Sequence, residues 1–242
     1  MQPSLLFDSW IIAVKEWREW SALRARLSWG ALAALIFVWS LVAPHLLGEL
    51  EAGLLIMAIL SASLPLALSG VMIIDSFAGE RERQTLETLL ASRLPDQAIL
   101  LGKVIAVTLA GVALLLVGLL PGVLQNIFTP VAGFAGIDLV RLTAGLLAAC
   151  APCIPLTVIV GALIALYIPS ARLALLMTVA FVGSFVLATS GLAVWWVAQP
   201  FYNVEHIAPL LSGFGLVVLI CDALLLFWLL LSAHRDRLLA IG

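Results

Sequence analysis

Six long apolar runs divide the chain: residues 28–47, 53–74, 104–124, 142–167, 173–197 and 208–232. A helix needs about 20 mostly apolar residues to cross a hydrocarbon layer of about 30 Å, and each run is of that order. The breaks between them carry charge, proline or both, as in "PHLLGELE", "PGVLQNIFTPVAGFAGID", "YIPSAR" and "QPFYNVEHIAP". Lipid leaves unpaired backbone groups unsatisfied, and no period-2 barrel pattern competes, so the runs predict helices. The pattern therefore predicts an all-α integral membrane protein with six transmembrane helices, occupying residues 28–242.

Ahead of the first run, residues 1–27 carry a different pattern, centred on "SWIIAVKEWREWSALRARL". At helical spacing Trp10, Ala13, Val14, Trp17 and Trp20 fall on one side, and Lys15, Glu16, Arg18, Glu19 and Arg26 on the other; Arg24 is the exception. That predicts an amphipathic helix lying in the membrane interface, with tryptophans at headgroup depth and Lys15 and Arg18 toward an anionic leaflet. The alternative is a soluble helix packed on another domain. No small-residue cleavage site follows a short apolar run, so this leader is expected to be retained.

Composition agrees with the pattern. Of 242 residues 64% are hydrophobic and 11% charged, and the mean hydropathy is +1.19, outside the range of soluble domains. The formal charge of −2 argues neither for nor against nucleic acid as a partner, but a nucleic-acid binder would need a basic face and none is visible. The three cysteines, Cys150, Cys153 and Cys221, lie in apolar runs and make no disulfide framework. Charge placement is more informative. With these spans one side receives Lys15, Arg18, Arg24, Arg26, Arg81, Arg83, Arg93, Lys103, Arg172, Arg235 and Arg237, and the other only Arg141. The positive-inside rule then places both termini in the cytoplasm, with the protein in the inner or plasma membrane.

Several chemistries lack their residues. ATP binding would need G-x-x-x-x-G-K-[ST], whereas Gly102-Lys103 is followed by Val104 and has no upstream glycine at that spacing. No H-E-x-x-H occurs, and His45, His206 and His234 are scattered over loops, so neither an enzymatic role nor a metal site is expected. "CAPC", Cys150 to Cys153, has redox spacing but lies in an apolar run beside Pro152 and Pro155, which reads as small residues at a proline kink. Asp222, in "LICDALLLF", sits near the middle of the last run, where a charge costs about 2.5–3.5 kcal/mol on insertion scales. It is expected to face other helices or water. Three roles stand open for it: a proton or cation relay, a group lining a solute path, or a structural carboxyl between helices. Thr189 and Ser190 add a polar side to the fifth run, either along a path or as packing glue.

Charges concentrate in the loop 75–103, "DSFAGERERQTLETLLASRLPDQAILLGK". Arg83 and Glu87 are spaced i, i+4, and Leu86, Leu89 and Leu90 share one face of a short helix that Pro95 interrupts. Either the leucines dock on the ends of the spans, or they fill a groove on a partner while the charges set register.

This stretch resembles the signature of the ABC-2 type permeases, the membrane subunits of ATP-binding-cassette exporters. The residues that match are Glu80, Arg81, Glu82, Arg83, Thr85, Leu86, Glu87, Leu89, Leu90, Pro95, Leu101, Gly102 and Lys103; Gln84 stands where the family usually has Gly. The leader, with "KEWRE", resembles the family's elbow helix, through Trp10, Lys15, Trp17 and Arg18. The resemblance implies a coupling helix that docks on a separate cytoplasmic ABC ATPase, which binds the ATP. It implies a pathway shared with a second permease copy or a related permease, set in membrane lipid, and export more than import. No cofactor is expected on this chain. Family members also carry re-entrant elements before the last span, which here would draw on Thr189 to Gln199. The six-span haem-export permeases of cytochrome maturation have a similar loop, but the Glu-Arg-Glu-Arg run fits the ABC-2 pattern better. An ion-coupled carrier using Asp222 and a non-transporting scaffold are the competing classes.

Overall fold

The computed structural model describes residues 5–20, 30–31, 33–38, 53–80, 95–128, 139–168, 170–197 and 207–232. Among them the chain is helical almost throughout, with no strand. Helix α1 is Leu5–Trp20, α2 Gly53–Ile74, α3 Asp96–Phe128 and α4 Leu139–Cys150. Then follow α5, Cys153–Tyr167, α6, Ala171–Val197, and α7, Ile207–Ser232. A π-helical turn, Asp75–Gly79, prolongs α2.

Among the described residues four stretches are long and apolar enough to cross a membrane: Asp96–Leu120, Ala144–Tyr167, Ala171–Leu192 and Pro209–Ser232. They fall on the third to sixth predicted runs. On the second lies a shorter apolar stretch, Ala62–Ala78. The first is described only at residues 30–31 and 33–38, which are helical and bury Ile36.

Two boundaries differ from the sequence pattern for physical reasons. The third run was expected to start at 104, yet α3 starts at Asp96, directly after Pro95. The Pro95 carbonyl accepts from the amides of Ala98 and Ile99 at 2.8 and 3.2 Å, which closes the first turn. Lys103 interrupts the apolar pattern without interrupting the helix, because its charge is met inside the protein. The expected loop 75–103 is therefore helical at both ends, and its middle, 81–94, lies outside the described residues. The fourth run, expected as one helix over 142–167, is interrupted by a turn at Ala151–Pro152, dividing it into α4 and α5. Pro152 and Pro155 supply no amide hydrogens, so the helical ladder cannot pass through them intact.

Helix α5 is apolar on every side and sits against α2, α3, α6 and α7, burying Ile154, Val158, Ile159, Ala162 and Ala165. A helix that is hydrophobic all round belongs in such a central place. Helix α2 also packs on α3 and α6, and α1 packs on α3. In contrast α6 and α7 bury one face each and expose Leu176, Met177, Leu187, Leu216, Leu224 and Phe227, a surface suited to lipid.

Lipid tails are as apolar as leucine, so helices in a membrane associate through close packing of small residues. Gly215 of α7 shows this where it meets α4. A Cβ there would collide with the backbone carbonyl of Ala148. That carbonyl would ordinarily accept from residue 152, which is Pro152 and has no amide hydrogen, so the glycine approaches an acceptor left free by the break. Gly213, two residues earlier, has nothing within 4 Å of the equivalent position. Gly215→Val is accordingly expected to destabilise the protein by about 1–3 kcal/mol more than Gly213→Val, because the helix-propensity change is shared and only the collision differs. Thermal unfolding in detergent measures the difference; equal effects would contradict this packing.

Candidate coupling site

Helix α1 turns Asp8, Ser9, Ile12, Ala13 and Glu16 inward, a stripe at helical spacing. This stripe lies on the start of α3. Contact is close because residue 102 is glycine: a Cβ there would come within 2.6 Å of the Ser9 carbonyl oxygen and 2.7 Å of Ile12 Cβ. Any side chain at 102 would push the two helices apart. One residue further on, Lys103 enters the same contact.

The Lys103 side chain is 0% exposed. Its Nζ lies 2.9 Å from Glu16 Oε1 and 2.8 Å from Glu80 Oε1. It also donates to Ser76, at 2.8 Å to the carbonyl oxygen and 3.0 Å to Oγ. The Phe77 ring centroid is 5.5 Å away, close enough for the ring face to attract the cation. An ammonium has three N–H donors, and here four oxygens from two other segments share them.

The π turn makes one of those oxygens available. In an α-helix the amide of Glu80 would bond the carbonyl of Ser76. Here it reaches Phe77 O instead, and the Ser76 carbonyl accepts from Lys103. Single π turns are frequent at functional positions. Three segments thus converge on one charge: the leader through Glu16, the end of α2 through Ser76 and Glu80, and the start of α3 through Lys103. Glu80 directly precedes 81–94, and Lys103 lies two turns into the helix that follows it.

Of the sequence-predicted coupling residues, Glu80 belongs to this cluster. Arg81, Glu82, Arg83, Thr85, Leu86, Glu87, Leu89 and Leu90, together with Gln84, lie outside the described residues. In the leader, Trp10, Lys15, Trp17 and Arg18 are all on the exposed surface of α1. The expected division of faces needs correcting there. Ala13 was grouped with the tryptophans but is buried, and Glu16 was grouped with Lys15 and Arg18 but points into the protein. The helix has two apolar sides, one toward α3 and one, with Leu6, Phe7, Trp10 and Ile11, facing outward.

The remaining candidates lie elsewhere. Thr189 Oγ1 donates to Phe185 O at 2.9 Å and Ser190 Oγ to Val186 O at 2.7 Å, so both are satisfied within α6. Asp222 is buried on α7, and neither carboxyl oxygen has a hydrogen-bond partner among the described residues. Cys153, whose thiol donates to Ala149 O at 3.2 Å, opens α5 directly after the turn, in keeping with small residues at a proline break.

Sequence reasoning missed Glu16, Ser76 and Lys103 as site residues. A signal for Lys103 was present: after Asp96 it is the single charged residue of a 33-residue helix. A lone charge in such a helix calls for an internal partner.

Removing one member of a buried ionic group leaves the others uncompensated, at about 3–5 kcal/mol. Lys103→Met is therefore expected to lower stability by about that amount. Gly102→Leu, which leaves the charges in place, should loosen α1 selectively, seen as faster amide exchange or protease cleavage within 5–20 while α5 stays protected. Unchanged protection of α1 in Gly102→Leu would contradict the close contact. No family model and no curated protein matches the chain, which leaves the geometry of this cluster and the motif around it to carry the functional reading.

Proposed function

We propose that the chain is the membrane-spanning permease subunit of an ABC-2 type ATP-binding-cassette transporter, a transport subunit without its own ATP-binding motif and driven by a separate cytoplasmic ATPase. In this reading it has six spans with both termini in the cytoplasm, lies in the inner or plasma membrane, and shares its pathway with a second copy or a related permease. The direction is export, as in the family it resembles.

The observation that carries the reading is the Lys103 cluster. A permease driven from outside the membrane needs a segment for the ATPase to push, and a stiff link from that segment to the spans. The 81–94 connection holds the motif that resembles a coupling helix. The segments on either side of it are joined to each other and to α1 by short ion pairs, from Lys103 of α3 to Glu80 and to Glu16. A displacement of the connection would then move the ends of α2 and α3 together with the leader, and would not be lost in flexing of the loop. From there α2 and α3 bear directly on α5, and α2 on α6. Packed cores respond to such a push by switching between arrangements and not by gradual deformation. Trp10 and Trp17 on the outer side of α1 would seat the moving unit at the lipid headgroups.

Co-expression with the partner ATPase tests the reading. Replacing Leu86 and Glu87 together by Ala is expected to weaken assembly or coupled ATP hydrolysis by about tenfold or more, the order of effect that follows from truncating a packed anchor at an interface. Full assembly and normal coupling in that variant would count against docking through 81–94. Solute transport by the chain reconstituted without any ATPase would count against the permease assignment itself.

A further inference from the structure

Asp222 takes no part in the Lys103 cluster and is unexplained by it. It lies on the packed face of α7 with Gly215, Val218 and Leu229, while Leu219, Ile220 and Leu224 on the other face are exposed. That packed face meets α4 and α5. The carboxyl is 6% exposed, and both its oxygens lack a hydrogen-bond partner among the described residues. Opposite it is Cys153, the first residue of α5, near enough for the two groups to interact electrostatically. The carboxyl therefore sits at the point where the fourth apolar run is broken by Ala151–Pro152.

We propose that Asp222 and the α4–α5 break form a proton-binding site inside the membrane. Among the described residues no Lys, Arg or His faces the carboxyl, and the titratable group beside it is the thiol of Cys153. The Cys153 thiol is already committed to Ala149 O, and Thr157 Oγ1 to Cys153 O at 2.9 Å. A metal ion would need several further ligands, and among the described residues no group of three or more His, Cys, Asp or Glu is placed to hold one. A proton needs only the carboxyl oxygen. Bound there, it removes the charge that the apolar interface cannot solvate.

The break supplies the other half of a reversible site. Helix α5, of 15 residues, begins at this level with no side-chain cap on its N-terminus. Of its first three positions Pro155 has no amide hydrogen and Ile154 donates to Ala151 O at 3.3 Å, so it is the dipole of α5 that favours an anion there. When α7 separates enough from α4 and α5 to admit water, the Oδ–H bond breaks and the proton passes to that water. The carboxylate left behind is solvated by the admitted water and favoured by the α5 dipole. Proton release is thus tied to opening of the α7 interface. The site does not depend on the permease reading, since it needs no ATPase.

Infrared spectroscopy and a hydrophobic carbodiimide test it on the full-length protein in liposomes. At neutral pH a carboxylic-acid C=O band is expected that Asp222→Asn lacks, and that disappears reversibly as pH rises. Dicyclohexylcarbodiimide, which adds to protonated carboxyls, should label the peptide containing Asp222 in the unaltered chain. Above the midpoint that labelling should fall about tenfold per pH unit, and its mapping by mass spectrometry requires no variant to fold. Absence of both the band and the label at neutral pH would overturn the proposal, as would a label and band unchanged into mild alkali, which would mark a fixed structural acid.

Discussion

A lysine ammonium shut away from water has to be surrounded by oxygens, and at Lys103 that requirement sets the positions of three parts of the chain. Glu16 brings the leader, while Ser76 and Glu80 bring the end of α2. Each is there because the others are: the π turn exposes the Ser76 carbonyl, and Gly102 lets α1 come close enough for Glu16 to reach. A buried ionic group contributes little net stability compared with apolar residues of the same shape. Its effect is on geometry, since the short contacts of Lys103 with Glu16, Ser76 and Glu80 fix the register of α1 against α2 and α3. Fixed geometry is what the proposed transmission of force from an ATPase would require.

Away from this joint the bundle is held by different means. In lipid there is no gain from hiding apolar surface, so close contact and satisfied backbone groups take over. Helix α7 rests on α4 through Gly215, next to a carbonyl that Pro152 leaves without its helical donor, and it carries Asp222 in the same interface. The two sites are built in opposite ways. The lysine is fully paired and ties segments together, whereas the aspartate is unpaired among the described residues and sits on a one-sided helix whose other face is exposed.

Much of the architecture was legible in the hydrophobic pattern, because helix length and apolar content follow directly from membrane thickness. Helices α3, α5, α6 and α7 lie on runs visible in the sequence. What the pattern missed traces to residues whose setting is decided at a distance. Lys103 looked like the edge of a loop, since a periodicity count treats every charge as solvent-facing, and α3 was consequently started too late. Glu16 looked like part of a charged outer face, although its partner is 87 residues away. Asp222 is expected from the sequence to face other helices or water, because a mid-run charge is costly in lipid, and it is buried on the face of α7 that meets α4 and α5. Its neighbour at the α4–α5 break could not be read, since periodicity does not say which helices meet.

The central claim is that Lys103 and Glu16 form one energetic unit joining the leader to the spans. A double-mutant cycle with Glu16→Gln, Lys103→Met and both together, measured by unfolding in detergent, tests it most directly. The account predicts that the double variant is less damaged than the two single effects combined, with a coupling energy of about 1–3 kcal/mol. Additive losses, agreeing within about 0.5 kcal/mol, would show that the two residues act independently and would contradict it.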